Sequence, residues 1–437
     1  MKDIFLNTKT ELFSSNRNAY LLALTLITLP LDFAFGSISI IIFLLNFIAN
    51  FKSCRFSLNA SLLLPIALYL VMLLSLCWTI DFDATLAGLG KLIIFLFIPI
   101  VFLFIPKLST LQIAKIIRLY SFSMALYAVY FFLKAIFKFF ITQNPEVFFF
   151  HELVSLDLNA IYMAAFASLA LFYFVQIENK KSIEILSMLT LLLFVFLLSS
   201  RSIFFIDLFL ITFYYIFFSK THEGIKVVTV FAFFLFLVIS VASSQEIKDR
   251  LLSKSETAFV DNILNKNISA EEQQENNITI EEAWNRQDFQ QNNFFPGTAL
   301  RVFQVRVFKE MLDEQNIFFT GFGLEASQLQ IEKKVEEHQL DLGYKIFNFH
   351  NQYIQTFAEL GVFGFLILII MLVVNLKNAI YNRNFLHLVF ALTMIILLLT
   401  ESMFCRQRGI VFFVILYCIF NSTENRQNIK EQSTIIN

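Results

Sequence analysis

Charge is scarce in this chain: only 15% of its 437 residues are Asp, Glu, Lys or Arg, and 33 basic residues nearly cancel 34 acidic ones. So sparse and balanced a charge gives no basic surface for nucleic acid. Glycine (11) and proline (6) are few, and the four cysteines, Cys54, Cys77, Cys405 and Cys418, lie in or beside apolar runs without C-x-x-C spacing. That argues against a disulfide framework and against a thiolate metal site. What fills the chain instead is 57% hydrophobic residues, with 57 phenylalanines among them, arranged in long apolar runs. A water-exposed or disordered chain cannot carry such runs, so the expected class is an all-α, polytopic membrane protein.

A hydrocarbon core of about 30 Å needs about 20 apolar residues per helical crossing. By that measure the sequence predicts about twelve transmembrane helices in two blocks. Nine fall near 19–34, 36–50, 60–79, 91–106, 113–136, 158–176, 183–199, 202–218 and 225–242, and three near 356–376, 385–400 and 409–421. The resulting organisation is a cytoplasmic tail (1–18), transmembrane helices 1–9 (19–242), one large periplasmic loop (243–355), helices 10–12 (356–421) and a cytoplasmic tail (422–437). The first two segments share a tight turn at 31–36 and could form a re-entrant pair that inverts everything after them. Charge bias argues against the inversion. With the N-terminus in the cytoplasm, sixteen basic residues, such as Lys52, Arg55, Lys107 and Lys377, fall on the cytoplasmic side against six opposite, as the positive-inside rule requires. The first segment lacks a small-residue cleavage site and reads as a retained signal anchor.

Residues 243–355 break the apolar pattern, holding 11 Lys+Arg and 18 Asp+Glu. With nine crossings before it, this loop is expected outside an inner membrane, in a periplasm if the cell is Gram-negative. Its part 244–294 is rich in Glu, Gln and Asn and predicts a mobile, weakly packed cover. From 300 to 312, Val302, Val305, Phe308 and Leu312 recur at helical steps, predicting an amphipathic helix able to lie on a bilayer.

Three groups are expected at one surface: Arg201 in LLSSRSIFF, Arg301 in GTALRVFQVRVF and His350 in NFHNQYIQTFAELGVFG. A charge inside hydrocarbon is costly, so Arg201 either faces a cavity, with Ser199, Ser200 and Ser202 as hydroxyl donors, or snorkels to headgroups. Arg301 and Arg306 are five residues apart on the predicted helix, so only one of them would enter a common pocket, the other reading being a solvated face. Arginine suits a diphosphate because its planar guanidinium makes bidentate, charge-assisted hydrogen bonds. His350, at the start of the tenth segment, is either a helix cap or a neutral imidazole able to take a proton from a hydroxyl. The other histidines, His151, His222, His338 and His387, lack an arginine-rich setting, and no HExxH or carboxylate-histidine pattern proposes a metal. Gly361 and Gly364, three apart, predict close helix contact.

HNQYIQTFAELGVFG resembles the motif of the O-antigen ligase and polymerase superfamily of membrane proteins, H-[N/S/Q], nine residues, G-x-x-G. His350 takes the motif histidine, Asn351 the amide position, and Gly361 and Gly364 the glycines. LLSSRSIFF resembles the family's small-residue-flanked arginine, and the segment from Leu300, with TGFGLEASQ after it, resembles its arginine helix and Gly-x-Gly turn at Gly321 and Gly323. LSLCWTIDFDATLAGLGK resembles the loop after an early helix, so the similarity runs from about residue 60 to 421. Two features depart from the pattern: Val305 stands where the family often has Trp, and the Gln/Asn-rich stretch 262–293 has no counterpart.

The resemblance implies a metal-independent, cofactor-free, inverting glycosyltransferase of the bacterial inner membrane with its active site on the periplasmic side. Its donor would be a glycan linked to undecaprenyl diphosphate, and its acceptor a lipid A core sugar. His350 would be the general base, Arg201 and Arg301 would hold the diphosphate, and Asn351, Gly361, Gly364 and Arg306 would support them. Polymerisation onto a second lipid-linked glycan is the nearest alternative and transfer to Ser or Thr of a protein a third; overall similarity and loop placement favour the ligase. A lipid-glycan transporter is the reading from another class. It is disfavoured because the candidate groups cluster at one surface rather than at the bilayer midplane.

Overall fold

The computed structural model describes residues 16–155, 157–198, 201–219 and 276–422; the expected segment 225–242, with Ser199 and Ser200, lies outside them. The first part of the chain forms α1 (Arg17–Ile27), α2 (Phe33–Ala49), α3 (Ala60–Leu74), α4 (Phe82–Leu92), α5 (Ile94–Phe104), α6 (Thr110–Thr142), α7 (Ala160–Gln176), α8 (Ser182–Leu197) and α9 (Arg201–Phe217). The loop region contributes α10 (Ile280–Asn285), α11 (Gly297–Glu314) and α12 (Ser327–Glu337), with a short parallel pair β1 (Asn276–Asn277) and β2 (Asn293–Phe294). After the loop region come α13 (Gln352–Tyr381), α14 (Phe385–Thr400) and α15 (Gln407–Asn421).

Four stretches are long and apolar enough to cross a membrane: Ala60–Cys77, Phe82–Phe104, Thr110–Thr142 and Gln352–Tyr381. The other apolar helices keep close to the expected runs: α14 coincides with 385–400, α2 and α15 begin two to three residues earlier, and only the first is much shorter. The first segment, expected to reach residue 34, stops at Ile27; Pro30 follows, and the Asp32 carboxylate accepts from Ala34 N to start α2. Apolar residues such as Ile38, Ile41, Leu45 and Ile48 on α2, and Leu126, Leu133, Phe137 and Phe140 on α6, are exposed. Apolar rims of this extent are what a lipid solvent requires.

The bundle is wound around α15, whose residues from Arg408 to Asn421 are all buried and which packs against α1–α5, α7, α13 and α14. One end of the bundle is stitched by asparagines: Asn59 Nδ2 donates to Asn421 O, and Asn378 Nδ2 to Asn421 Oδ1 and Ser61 Oγ. At the other end Arg408 donates to the carbonyls of Leu29, Leu31 and Asp157 and to the Asp157 carboxylate. Its guanidinium also lies over the Phe33 ring, 4.1 Å from the centroid.

The loop residues that follow 275 have their own core, built from Phe289, Phe294, Phe295, Phe303, Val307, Met311, Val335 and Tyr344. Residues 276–294, expected as a mobile cover, are therefore packed: aromatic residues spaced among the polar ones supply the apolar surface that the Glu/Gln/Asn content hid. On α11 the buried face is Ala299, Leu300, Phe303, Val307 and Met311, whereas Val302, Phe308 and Leu312 are only partly buried and Val305 is 37% exposed. The expected helix is present, but its buried side faces the loop's own core.

α13 is broken at Gly361, where φ is 64° and ψ −164°. This conformation is open to glycine alone. In an unbroken helix the carbonyls of Ala358 and Glu359 would accept from residues four further on. Here they accept from Phe322 N (2.8 Å) and Gly323 N (2.9 Å), while Val362 N donates to Phe318 O (2.8 Å). The loop 318–323 is thus spliced into the break. A Cβ on Gly361 would stand 2.3 Å from Phe319 O, so the close approach expected of Gly361 is to a loop backbone rather than to another helix. The far side of this loop is held by the segment after α3: Ile80 N donates to Phe322 O, Trp78 Nε1 to Thr320 O, and Thr85 Oγ1 to Leu324 O.

Candidate active site

His350 immediately precedes the N-cap of α13. Asn351 caps the helix, its Oδ1 accepting from Tyr353 N and Ile354 N. The turn that delivers His350 is constrained: its φ is +47°, rare for a residue with a Cβ, and its backbone N–H donates to Asn348 Oδ1. The same turn is pinned to the chain that leaves α14, because Asn351 N donates to Ser402 Oγ (3.1 Å) and Phe404 N donates to Gln352 Oε1 (2.7 Å). The Phe347 ring packs beside the imidazole at 5.7 Å between centroids.

Arg301 sits one turn into α11 and reaches the same place. Its Nε donates to Thr400 O (3.2 Å), and Nη2 lies 3.5 Å from Glu401 Oε1. The other oxygen of Glu401 lies 3.9 Å from His350 Nδ1. One buried carboxylate, 5% exposed, therefore stands between the arginine and the histidine. The third motif arrives at the same point. Ser202 Oγ donates to Thr400 Oγ1, so the start of α9, whose first residue is Arg201, abuts the end of α14. The Arg201 side chain itself lies outside the described residues.

Arg306 does not join this group. It is buried 5% exposed on the other side of α11, donating to Glu310 and Gln287 and to the carbonyls of Ala283 and Arg286. His338 completes that second cluster, with Nδ1 2.6 Å from Gln287 O and Nε2 2.9 Å from Glu310 Oε2. Burial alone would push the Glu310 carboxyl up, but the hydrogen bonds and charges of His338 and Arg306 outweigh it and hold the group below its ordinary value. The cluster fastens residues 283–287 to α11 and α12 and is structural. Gly361 and Gly364 lie further along α13, and they fix the helix's course rather than touch the His350 surroundings.

Glu401 is the residue that sequence reasoning missed. The signal available was a single acidic residue, in LLLTESMFCR, ending an apolar run in a chain where such runs are almost free of charge. Chemically the arrangement joins a cation, a carboxylate and an imidazole at one end of an apolar bundle, beside hydroxyls of Ser202, Thr400 and Ser402. Among the described residues no group of three or more His, Cys, Asp and Glu is placed to hold a metal ion.

Residues 186–369 match the Wzy_C family, described as O-antigen ligase. The matched stretch contains Arg201, Arg301, His350, Gly361 and Gly364 and ends before Glu401. No curated protein matches the chain.

Proposed function

We propose that this membrane protein, whose residues 186–369 match the O-antigen ligase family, transfers a preassembled glycan from undecaprenyl diphosphate to a lipid A core sugar at the periplasmic face of the inner membrane. The observation that carries the reading is the convergence of Arg301 and His350 on Glu401, at a point that the Arg201 end of α9 also reaches.

In this reading the acceptor hydroxyl oxygen attacks the anomeric carbon from the face opposite the diphosphate, and its proton passes to His350 as general base. The bond from the anomeric carbon to the diphosphate oxygen breaks, and the diphosphate leaves with the electron pair. Arg201 and Arg301 hold its oxygens and stabilise the charge that builds there, which counts for most in a site shielded from water. A diphosphate leaves without being protonated, so no second carboxyl group is needed as an acid. Glu401 is a positioning residue: its carboxylate beside Nδ1 orients the ring and stabilises the imidazolium that forms, so the proton enters at Nε2. Asn351 acts through the helix cap that sets the His350 turn.

A polymerase of the same superfamily would use the same donor machinery with a second lipid-linked glycan as acceptor, and a protein O-oligosaccharyltransferase would use a Ser or Thr hydroxyl. The electrophoretic profile of surface lipopolysaccharide from a deletion strain, complemented with wild type or His350→Ala, separates these readings. Bare core restored to full length only by the wild type supports the ligase. Core carrying one repeat unit assigns a polymerase, and an unchanged lipopolysaccharide with altered glycoproteins assigns protein transfer. Normal product from His350→Ala overturns the base assignment.

A further inference from the structure

Within the charged loop, residues 315–324 (QNIFFTGFGL) contain no charge at all, although Asp313, Glu314 and Glu325 border them. This is the segment spliced into the Gly361 break, so its side chains are held by a backbone that is hydrogen bonded on both sides. Two of them point outward: Phe318 is 49% and Phe319 58% exposed.

Their surroundings indicate what covers them. The Phe319 ring is 6.2 Å from that of Phe363, which lies just beyond the break and is itself exposed. Below Phe363, the exposed residues Leu366, Ile370 and Val373 recur at steps of three and four along α13, the stripe that a spanning helix turns to lipid. On the other flank, Trp78, Ile80 and Phe82 are exposed in the segment that grips the loop. Trp78 has its indole N–H bonded to Thr320 O while the ring stays partly uncovered, a pairing of apolar body and polar tip that suits the membrane interface.

We propose that Trp78, Ile80, Phe318 and Phe319 form a ledge seated among the acyl chains of the bilayer lipids, continuous with the lipid-facing stripe of α13. The loop 315–324 is then a membrane-immersed part of an otherwise aqueous region. Because the loop is spliced into α13 at Gly361, eleven residues beyond His350, seating the ledge also fixes the height of the His350 turn relative to the lipid headgroups. Lipid contact of this ledge is read out without glycan transfer.

Trp78 and Trp284 are the only tryptophans, so Trp284→Phe leaves a reporter in the ledge without disturbing it. The full-length variant is placed in nanodiscs of phosphatidylcholine carrying bromine on the acyl chains, either near the headgroup or near the chain ends, and the aqueous quencher acrylamide is applied separately. Bromine near the headgroup is expected to reduce Trp78 emission to roughly half or less, with acrylamide nearly ineffective, as for an indole at the interface. A second variant that adds Phe319→Trp is expected to be quenched at least as strongly by the bromolipids. Efficient quenching by acrylamide with none by bromolipid would overturn the proposal, as would shielding from both, which would assign the ledge to a second copy of the chain or another protein.

Discussion

Glu401 offers one oxygen to Arg301 and the other to the His350 ring, so removing its charge acts on both partners at once. Glu401→Gln keeps the shape and removes the anion. The expected outcome is a fall in kcat of roughly a hundredfold, within the range a positioned proton-transfer group supplies, with the melting temperature little changed. Glycan transfer by purified protein against lipid-linked donor measures it, and wild-type turnover would sink the positioning role. Arg301→Lys keeps the charge and loses the planar fork; the donor KM is expected to rise roughly tenfold or more, the loss of one charged hydrogen bond, with a smaller change in kcat. At this scale His350 and Arg301 were legible because each sits in a motif. Glu401 was not, because 51 residues of chain separate it from His350 and only the antiparallel return of α14 brings them together.

Among the elements, α13 depends most on a single residue. Gly361→Ala would place a Cβ against the Phe319 carbonyl in a conformation that costs non-glycine residues about 1–3 kcal/mol before any clash is counted. Thermal unfolding in detergent is expected to show the loss, and Gly90→Ala on α4, where an added Cβ meets nothing within 4 Å, serves as the comparison. The sequence marked Gly361 and Gly364 as small residues, but spacing alone does not distinguish a packing notch from a helix break. The difference lies in the loop 318–323, whose backbone takes up the freed carbonyls. α11 carries a second prediction. The Glu310 carboxyl is held below its ordinary value of 4.5 in the fold, so its contribution is fully present above that pH and is lost as pH falls through the lower, folded value. Melting of the loop region is therefore expected to shift downward as the solution is acidified below pH 4.5, and Glu310→Gln should flatten that part of the profile. Conversely, the amphipathic period of α11 was legible while its buried face was not. The face is chosen by Phe289, in the stretch whose composition reads as polar, and by Phe295 and Tyr344 beyond it.

For the whole molecule, the apolar runs marked most of the described bundle helices and their order, while the capping residues Asp32, Asn159 and Asn384 fix where α2, α7 and α14 begin. Which helix lies innermost could not be read from hydrophobicity, since α15 is no more apolar than its neighbours; its burial follows from being surrounded. Arg408 at the head of α15 ties together the turn after α1 and the segment before α7 through backbone carbonyls. Arg408→Met removes a buried cation that satisfies several carbonyls at once, and a destabilisation of about 2 kcal/mol or more is expected in thermal melts. An unchanged melting temperature would show that these turns are held by packing alone. The central place of α15 also bears on how the protein is made. This helix leaves the ribosome after the helices it packs against, yet it fills the axis around which α1–α5, α7, α13 and α14 are arranged. Until translation reaches Asn421 those helices can only surround an unfilled space, so the bundle closes only once α15 is made, and a chain cut short before it would be presented to the cell's quality control as an open assembly.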